Sequence, residues 1–281
     1  MRAKTFALAL ACGLLVAGLA HGAPSHVEIA TRGPQAQQPD LAQGDEDAAR
    51  PGTQVRPRAG QPHGFPADVI VHDENGHNDV RRVNVTLLRA DNATVHRAPV
   101  EASKLSGSGT RATWRVTVTM LSDDPPGEYI LRAAVVDRDA AVTLAWTNFT
   151  YEPLAALAVA TSRISLGPSG SGALEPGADG TSAPAHVNVT NAGNVAVDIT
   201  LAATDLANAT HGASIPASSL LASRTSDVSS GLALSEATQT LPGASLASNE
   251  TAPVWMGLRV PPGLRPGDYV GELTLGAVAA S

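Results

Sequence analysis

The chain has 281 residues, room for two domains with a core each, and 26 acidic against 19 basic side chains give it a net charge of −7. An acidic chain without clustered Lys and Arg argues against nucleic acid and anionic membranes as partners, because phosphate binding needs such clusters. The single cysteine, Cys12, leaves no disulfide framework, thiol catalyst or thiolate metal site.

The first residues, "MRAKTFALALACGLLVAGLAHGA", read as a secretory signal peptide. Arg2 and Lys4 precede an apolar run from Phe6 to Ala20, and small residues follow. Cleavage between Gly22 and Ala23 puts Ala20 and Gly22 at the two small-residue positions, which gives a leader over 1–22. Cys12 is not read as a lipidation site, because the apolar run continues beyond it. Loss of the leader removes Arg2 and Lys4 and no acids, so the mature charge moves from −7 to −9. No later run of about 18 apolar residues suggests a transmembrane segment. The expected location is extracellular, secreted or held at the cell surface by other molecules.

Residues 23–64 are rich in Pro, Gln, Gly and charge and show little hydrophobic period. Such a segment does not bury enough apolar surface to offset its ordering entropy, so a disordered linker or stalk is expected. From Pro66 the period becomes two. "VNVTLL" (83–88), "TWRVTVTM" (113–120), "EYILRAAVVD" (128–137) and "WTNFTY" (146–151) each alternate apolar and polar residues. This is the pattern of half-buried antiparallel strands, and it predicts a β-sandwich over 65–152.

A boundary near Pro153 leads to a second sandwich over 153–281, with seven candidate strands from "LAVATSRISLG" (157–167) to "DYVGELTLGAV" (268–278). "TNAGN" (190–194) separates two of these as a hairpin turn would. The short linker implies a stiff tandem. "PPGEYILRAAV" (125–135) is echoed by "RPGDYVGELTL" (265–275). Tyr129 and Tyr269 therefore either begin strands or fold back so that the hydroxyl bonds the preceding turn, as in the tyrosine corner of immunoglobulin-like sandwiches. The fold class expected is all-β: two tandem antiparallel immunoglobulin- or fibronectin-III-like sandwiches.

The stretch "VHDENGHNDVRRVNVTLL", with "GEYILRAAVVDRDAAVTLAWTNFTY", resembles immunoglobulin-like modules of exported archaeal proteins. "VNVTNAGNVAVDITLAATDL", "SIPASSL" and "VWMGLRVPPGLRPGDYVGELTLGA" resemble a second sandwich type, also similar to domains appended to bacterial glycosidases. The resemblance implies repeated surface spacers and no catalytic residues.

Asn-x-Thr occurs at Asn84, Asn92, Asn148, Asn188, Asn208 and Asn249, six of ten asparagines, where composition gives roughly one or two. N-glycosylation at these six is expected, with the strand asparagines Asn84, Asn148 and Asn188 facing outward. "HDENGHND" (72–79) is read as a turn between strands, with Asp and Asn side chains capping it and Gly76 at positive φ. No metal or other cofactor is assigned. Calcium is the alternative there, with Asp73, Asn75 and Asp79 as oxygen donors joined by Asp137 if its loop lies near. The spacing does not fit an EF-hand, and His72 and His77 do not have zinc spacing. Catalysis has little support, since His63, His96, His186 and His211 read as loop or outward strand positions. Trp146 is read as packing between the two domains. A non-catalytic structural or adhesive surface module is therefore expected, with extracellular proteins, glycans or its own copies as partners. The rivals are a carbohydrate- or protein-binding accessory module and a filament subunit that exchanges its N-terminal tail as a strand.

Overall fold

A computed structural model describes residues 32–41, 44–47, 49–166 and 185–280. The leader and its cleavage point at Gly22 and Ala23 lie outside these. Among the described residues there are β-strands and short 3-10 turns but no α-helix, and no helix is long and apolar enough to cross a membrane.

The first sandwich contains β1 (Gln35–Ala36), β2 (Gln54–Val55), β3 (His63–His72), β4 (Val80–Arg89), β5 (Val95–Glu101), β6 (Ser103–Ser108), β7 (Arg111–Met120), β8 (Gly127–Asp137) and β9 (Val142–Tyr151). One sheet has the order β1-β3-β7-β6 and the other β2-β9-β8-β4-β5. This is the immunoglobulin arrangement, in which strands A, B, E and D face G, F, C and an added C′. The alternation read from sequence sets the core. Val83, Val85 and Leu87 of β4, Trp114, Val116 and Val118 of β7, and Tyr129, Leu131 and Val135 of β8 are buried between the sheets. Phe149 stacks on Tyr129 with ring centroids 5.6 Å apart and meets Phe65 edge-on at 5.3 Å.

The stalk expected over residues 23–64 is corrected from Arg32 onward. β1 pairs antiparallel with β3, and β2 pairs parallel with β9, so the segment closes one side of both sheets. Leu41 and Val55 are 3% and 0% exposed and belong to the core. Asp45 Oδ1 accepts from the Asp47 and Gln54 amides, which shapes the loop between these strands. The segment escaped a periodicity argument because strands of two residues have no period. Val55 in β2 and Leu41, which follows β1, are the apolar anchors, and Asp45 caps the loop between them.

The second sandwich contains β10 (Leu157–Val159), β11 (Ala185–Asn191), β12 (Val197–Ala203), β13 (Leu206–Ala207), β14 (Ser214–Ile215), β15 (Leu220–Ser223), β16 (Leu232–Ala233), β17 (Gln239–Leu246), β18 (Thr251–Leu258) and β19 (Leu273–Ala279). Sheets β10-β11-β18-β15-β16 and β17-β12-β19 enclose Val187, Val189, Ile199, Leu201, Leu246, Val254 and Met256. "TNAGN" is not a hairpin turn. It carries the chain from β11 in one sheet to β12 in the other. Among the described residues β19 pairs with β12 alone, and its inward Leu273, Leu275 and Ala277 are only half-buried.

Candidate functional site

The turn from β3 to β4 forms as the residues dictate. The Gly76 amide donates to the Asp73 carbonyl at 3.0 Å, Asp73 Oδ1 accepts the Asn75 amide at 2.8 Å, and Gly76 has φ 107°. The Asp79 amide then donates to the Gly76 carbonyl at 2.8 Å, which aims β4 back along the sandwich. The β8–β9 turn meets this one. Val80 pairs with Asp137, and the Arg138 amide donates to the Asp79 carbonyl at 3.0 Å. Asp137 Oδ1 accepts the Ala141 amide at 2.8 Å, capping its own turn.

These contacts bring three carboxylates together. One oxygen of each of Asp73, Asp79 and Asp137 lies within 4.8 Å of the others. Asp73 and Asp137 are each 1% exposed. Oδ2 of Asp73 and Oδ2 of Asp79 are buried and accept no hydrogen bond. Burial pushes the Asp73 carboxyl above the usual carboxylate range; the Asn75 amide opposes this, and the charges of Asp79 and Asp137 add to it. Asn75, the fourth calcium candidate, donates through its side-chain amide to the Arg32 carbonyl at 3.2 Å. The two turn histidines are engaged elsewhere: His77 Nδ1 lies 2.6 Å from Lys104 Nζ, and His72 Nε2 lies 3.0 Å from Thr110 Oγ1.

A second polar cluster closes the other end of β8. The Tyr129 hydroxyl donates to the Pro125 carbonyl at 2.7 Å and accepts from Arg89 at 2.8 Å. This is the tyrosine corner, and Tyr269 repeats it by donating to the Arg265 carbonyl at 2.8 Å. Burial pushes the Tyr129 hydroxyl up to about 12. Asp124, buried beside it, receives Arg97 through both oxygens at 2.8 Å and the Leu121 amide at 2.7 Å. His96 lies 3.0 Å from Asp124 and packs edge-on against Tyr129. Tyr129, Asp124 and His96 are turned toward protein, whereas the Arg97 side chain is 37% exposed. His63 and His96 are corrected from loop or outward positions. His63 is 4% exposed at the start of β3, with Nδ1 2.8 Å from the Arg56 carbonyl. His186 and His211 are exposed.

The six sequon asparagines divide by geometry. Asn148 and Asn188 stand on outward strand positions and are exposed, as are Asn92 and Asn249 in turns. Asn84 is half-buried on the outer face of β4. Asn208 is 2% exposed; its Oδ1 accepts the Thr210 and His211 amides, and its Nδ2 is buried against Gly267. Asn208 thus lies in a loop with its side chain buried. Trp146 is not between the domains. It is 53% exposed on the outer face of β9, beside Leu144 and Val142.

The two sandwiches meet through backbone and amide groups. Asn194 Oδ1 accepts the Leu154 amide at 2.7 Å, and its Nδ2 donates to the Glu152 carbonyl at 3.0 Å. The Ala192 and Asn194 amides donate to the Ala156 and Leu154 carbonyls, and the Gly60 amide donates to the Ala192 carbonyl. A Cβ on Gly193 would lie 2.0 Å from the Leu154 carbonyl oxygen, so only glycine admits the linker this closely. Asn191 Nδ2 donates to the Val195 and Leu246 carbonyls and braces the turn from behind.

No family model and no curated protein matches the chain. Among solved structures it is similar to the secreted serine protease VesC of Vibrio cholerae, 11% identical over 81% of this chain and 49% of that one, with a TM-score of 0.22. It is similar to dimeric latent PorU of Porphyromonas gingivalis, 11% identical over 89% of this chain and 20% of that one, with a TM-score of 0.29. It is also similar to the CsuC–CsuE chaperone–tip adhesion subunit complex of Acinetobacter baumannii, 10% identical over 80% of this chain and 96% of that one, with a TM-score of 0.36. The chain thus spans less than two thirds of the first two. The superpositions are too loose to carry an argument, and the sandwich assignment rests on strand order and register.

Proposed function

We propose that this chain is a non-catalytic structural or adhesive module of the extracellular surface, a stiff two-sandwich spacer. The junction at Asn194 and Gly193 carries this reading. Four backbone and amide bonds hold the linker against the turn of the second sandwich, and a fifth, from the Gly60 amide, ties the first sandwich to it, so the tandem presents its two ends at a set separation. The leader and the sequons support an extracellular location, with glycans on Asn84, Asn92, Asn148, Asn188 and Asn249. Asn208 is left out, because a sugar on its buried Nδ2 requires local unfolding.

The mature chain has no cysteine, so labels on Ser106→Cys and Ser245→Cys report the separation of the sandwiches directly. A narrow spin-label distance distribution is expected, broadened by Asn194→Ala. A wild-type distribution as broad as that of a flexible linker would remove the spacer reading. Glycopeptide mapping of protein from its own host tests the five asparagines, and modification of Asn208 alone would contradict their assignment.

A second reading, partner capture by strand addition, is favoured by β19. Its edge, unpaired among the described residues, and its half-buried inner face offer a place for one more strand. The donor is not residues 32–55, which already pair within the first sandwich. Light scattering that finds only monomer at all concentrations would argue against self-addition.

A further inference from the structure

We propose that Asp73, Asp79 and Asp137 form a calcium site that ties together the ends of the two sheets in the first sandwich. Asp73 follows β3 in one sheet, while Asp79 precedes β4 and Asp137 ends β8 in the other. Buried carboxylates are tolerated when they are paired or coordinate a metal. None of the ion pairs among the described residues includes these three acids. Asp73, 1% exposed, uses Oδ1 to cap its turn and has no protein partner for Oδ2; Asp79 likewise leaves a buried Oδ2 without a donor. These unfilled acceptors, with one oxygen of each acid inside 4.8 Å, mark a place for a cation.

The donor set chooses the ion. All three ligands are hard oxygens, and the neighbouring imidazoles are engaged with Lys104 and Thr110, so zinc is disfavoured. Calcium takes six to eight oxygens at irregular angles, which suits side chains fixed by two separate turns, with backbone carbonyls and water completing the shell. Magnesium demands near-octahedral geometry and keeps its water, so it fits a site assembled from turns less well. The Arg138 amide bond to the Asp79 carbonyl already fastens the two turns, so the cation would find its ligands in place.

Chelator-treated mature chain is titrated with calcium chloride by calorimetry, with thermal unfolding followed in parallel. Saturable binding is expected at roughly 0.1–1 mM, the range of extracellular modules. It should come with a rise of a few degrees in unfolding temperature that equal magnesium or matched sodium chloride does not reproduce. Asp79→Asn removes a ligand charge without touching either turn cap. It is expected to weaken calcium binding about tenfold or more, while its stability in chelator is equal to or above wild type because repulsion is relieved. Asp137→Asn serves if Asp79→Asn does not fold. No heat and no shift at millimolar calcium would overturn the site, as would a calcium response that the variant retains in full.

Discussion

At the residue scale, the hydroxyls of Tyr129 and Tyr269 make the same bond four residues back in the chain, yet in different surroundings. Tyr129 is fully buried and also holds Arg89, whereas Tyr269 is partly exposed. Removing a buried hydroxyl leaves acceptors that water cannot reach, so Tyr129→Phe is expected to cost about 1–3 kcal/mol and Tyr269→Phe less than about 1 kcal/mol, measured by denaturant unfolding. His96 supplies a pH signature. Burial holds its imidazole below the usual 6.5; the Asp124 charge opposes this, and Arg89 and Arg97 reinforce it. A histidine that resists protonation when folded contributes stability that is present above its unfolded value and lost as pH falls. The unfolding temperature of the first sandwich should therefore decline as pH drops below 6.5, and His96→Gln should flatten that decline.

At the element scale, the segment from Arg32 to Val55 is the A side of the first sandwich. Leu41→Ala would do nothing in a disordered stalk. In the packed segment it opens a cavity against the core, and a loss of about 2–4 kcal/mol is expected by chemical denaturation. β8 and β19 are equivalent strands with unequal protection. β8 is paired on both sides, by β4 and β9, and its Tyr129, Leu131, Ala133 and Val135 are at most 1% exposed. β19 has β12 on one side among the described residues. Amide hydrogen exchange should be slow throughout β8 and fast at alternate amides of β19. Uniform protection of β19 would mean that its free edge is covered, by another chain or by another part of this one.

At the scale of the whole molecule, the two sandwiches share one polar junction, and their coupling depends on how closely Gly193 approaches the linker. Gly193→Ala puts a methyl group into the Leu154 carbonyl, so the turn and linker must separate. The expected result is loss of the Asn194 bonds and two independent unfolding transitions, against a more cooperative transition in wild type, read by calorimetry. Each sandwich should keep its own stability, because none of the residues bonded across the junction belongs to either core.

The sequence by itself determined the local pattern. Alternation in "TWRVTVTM" and "EYILRAAVVD" set which side chains face inward, and "DENG" set the turn, because both depend only on neighbours along the chain. The repeated Pro-Gly-acid-Tyr showed where both tyrosines lie, and the tertiary structure showed which reading of them holds. Tertiary structure alone decided what distant segments do to one another. Leu41 and Val55 have no period to read, and they are buried because two open sheet edges receive them. Asn208 looks like any loop sequon until Gly267 closes over it. Asp137 joins Asp73 and Asp79 because the order β9-β8-β4 sets its strand beside the one that Asp79 precedes. Strand order comes from packing two sheets face to face, and no window along the chain contains that information.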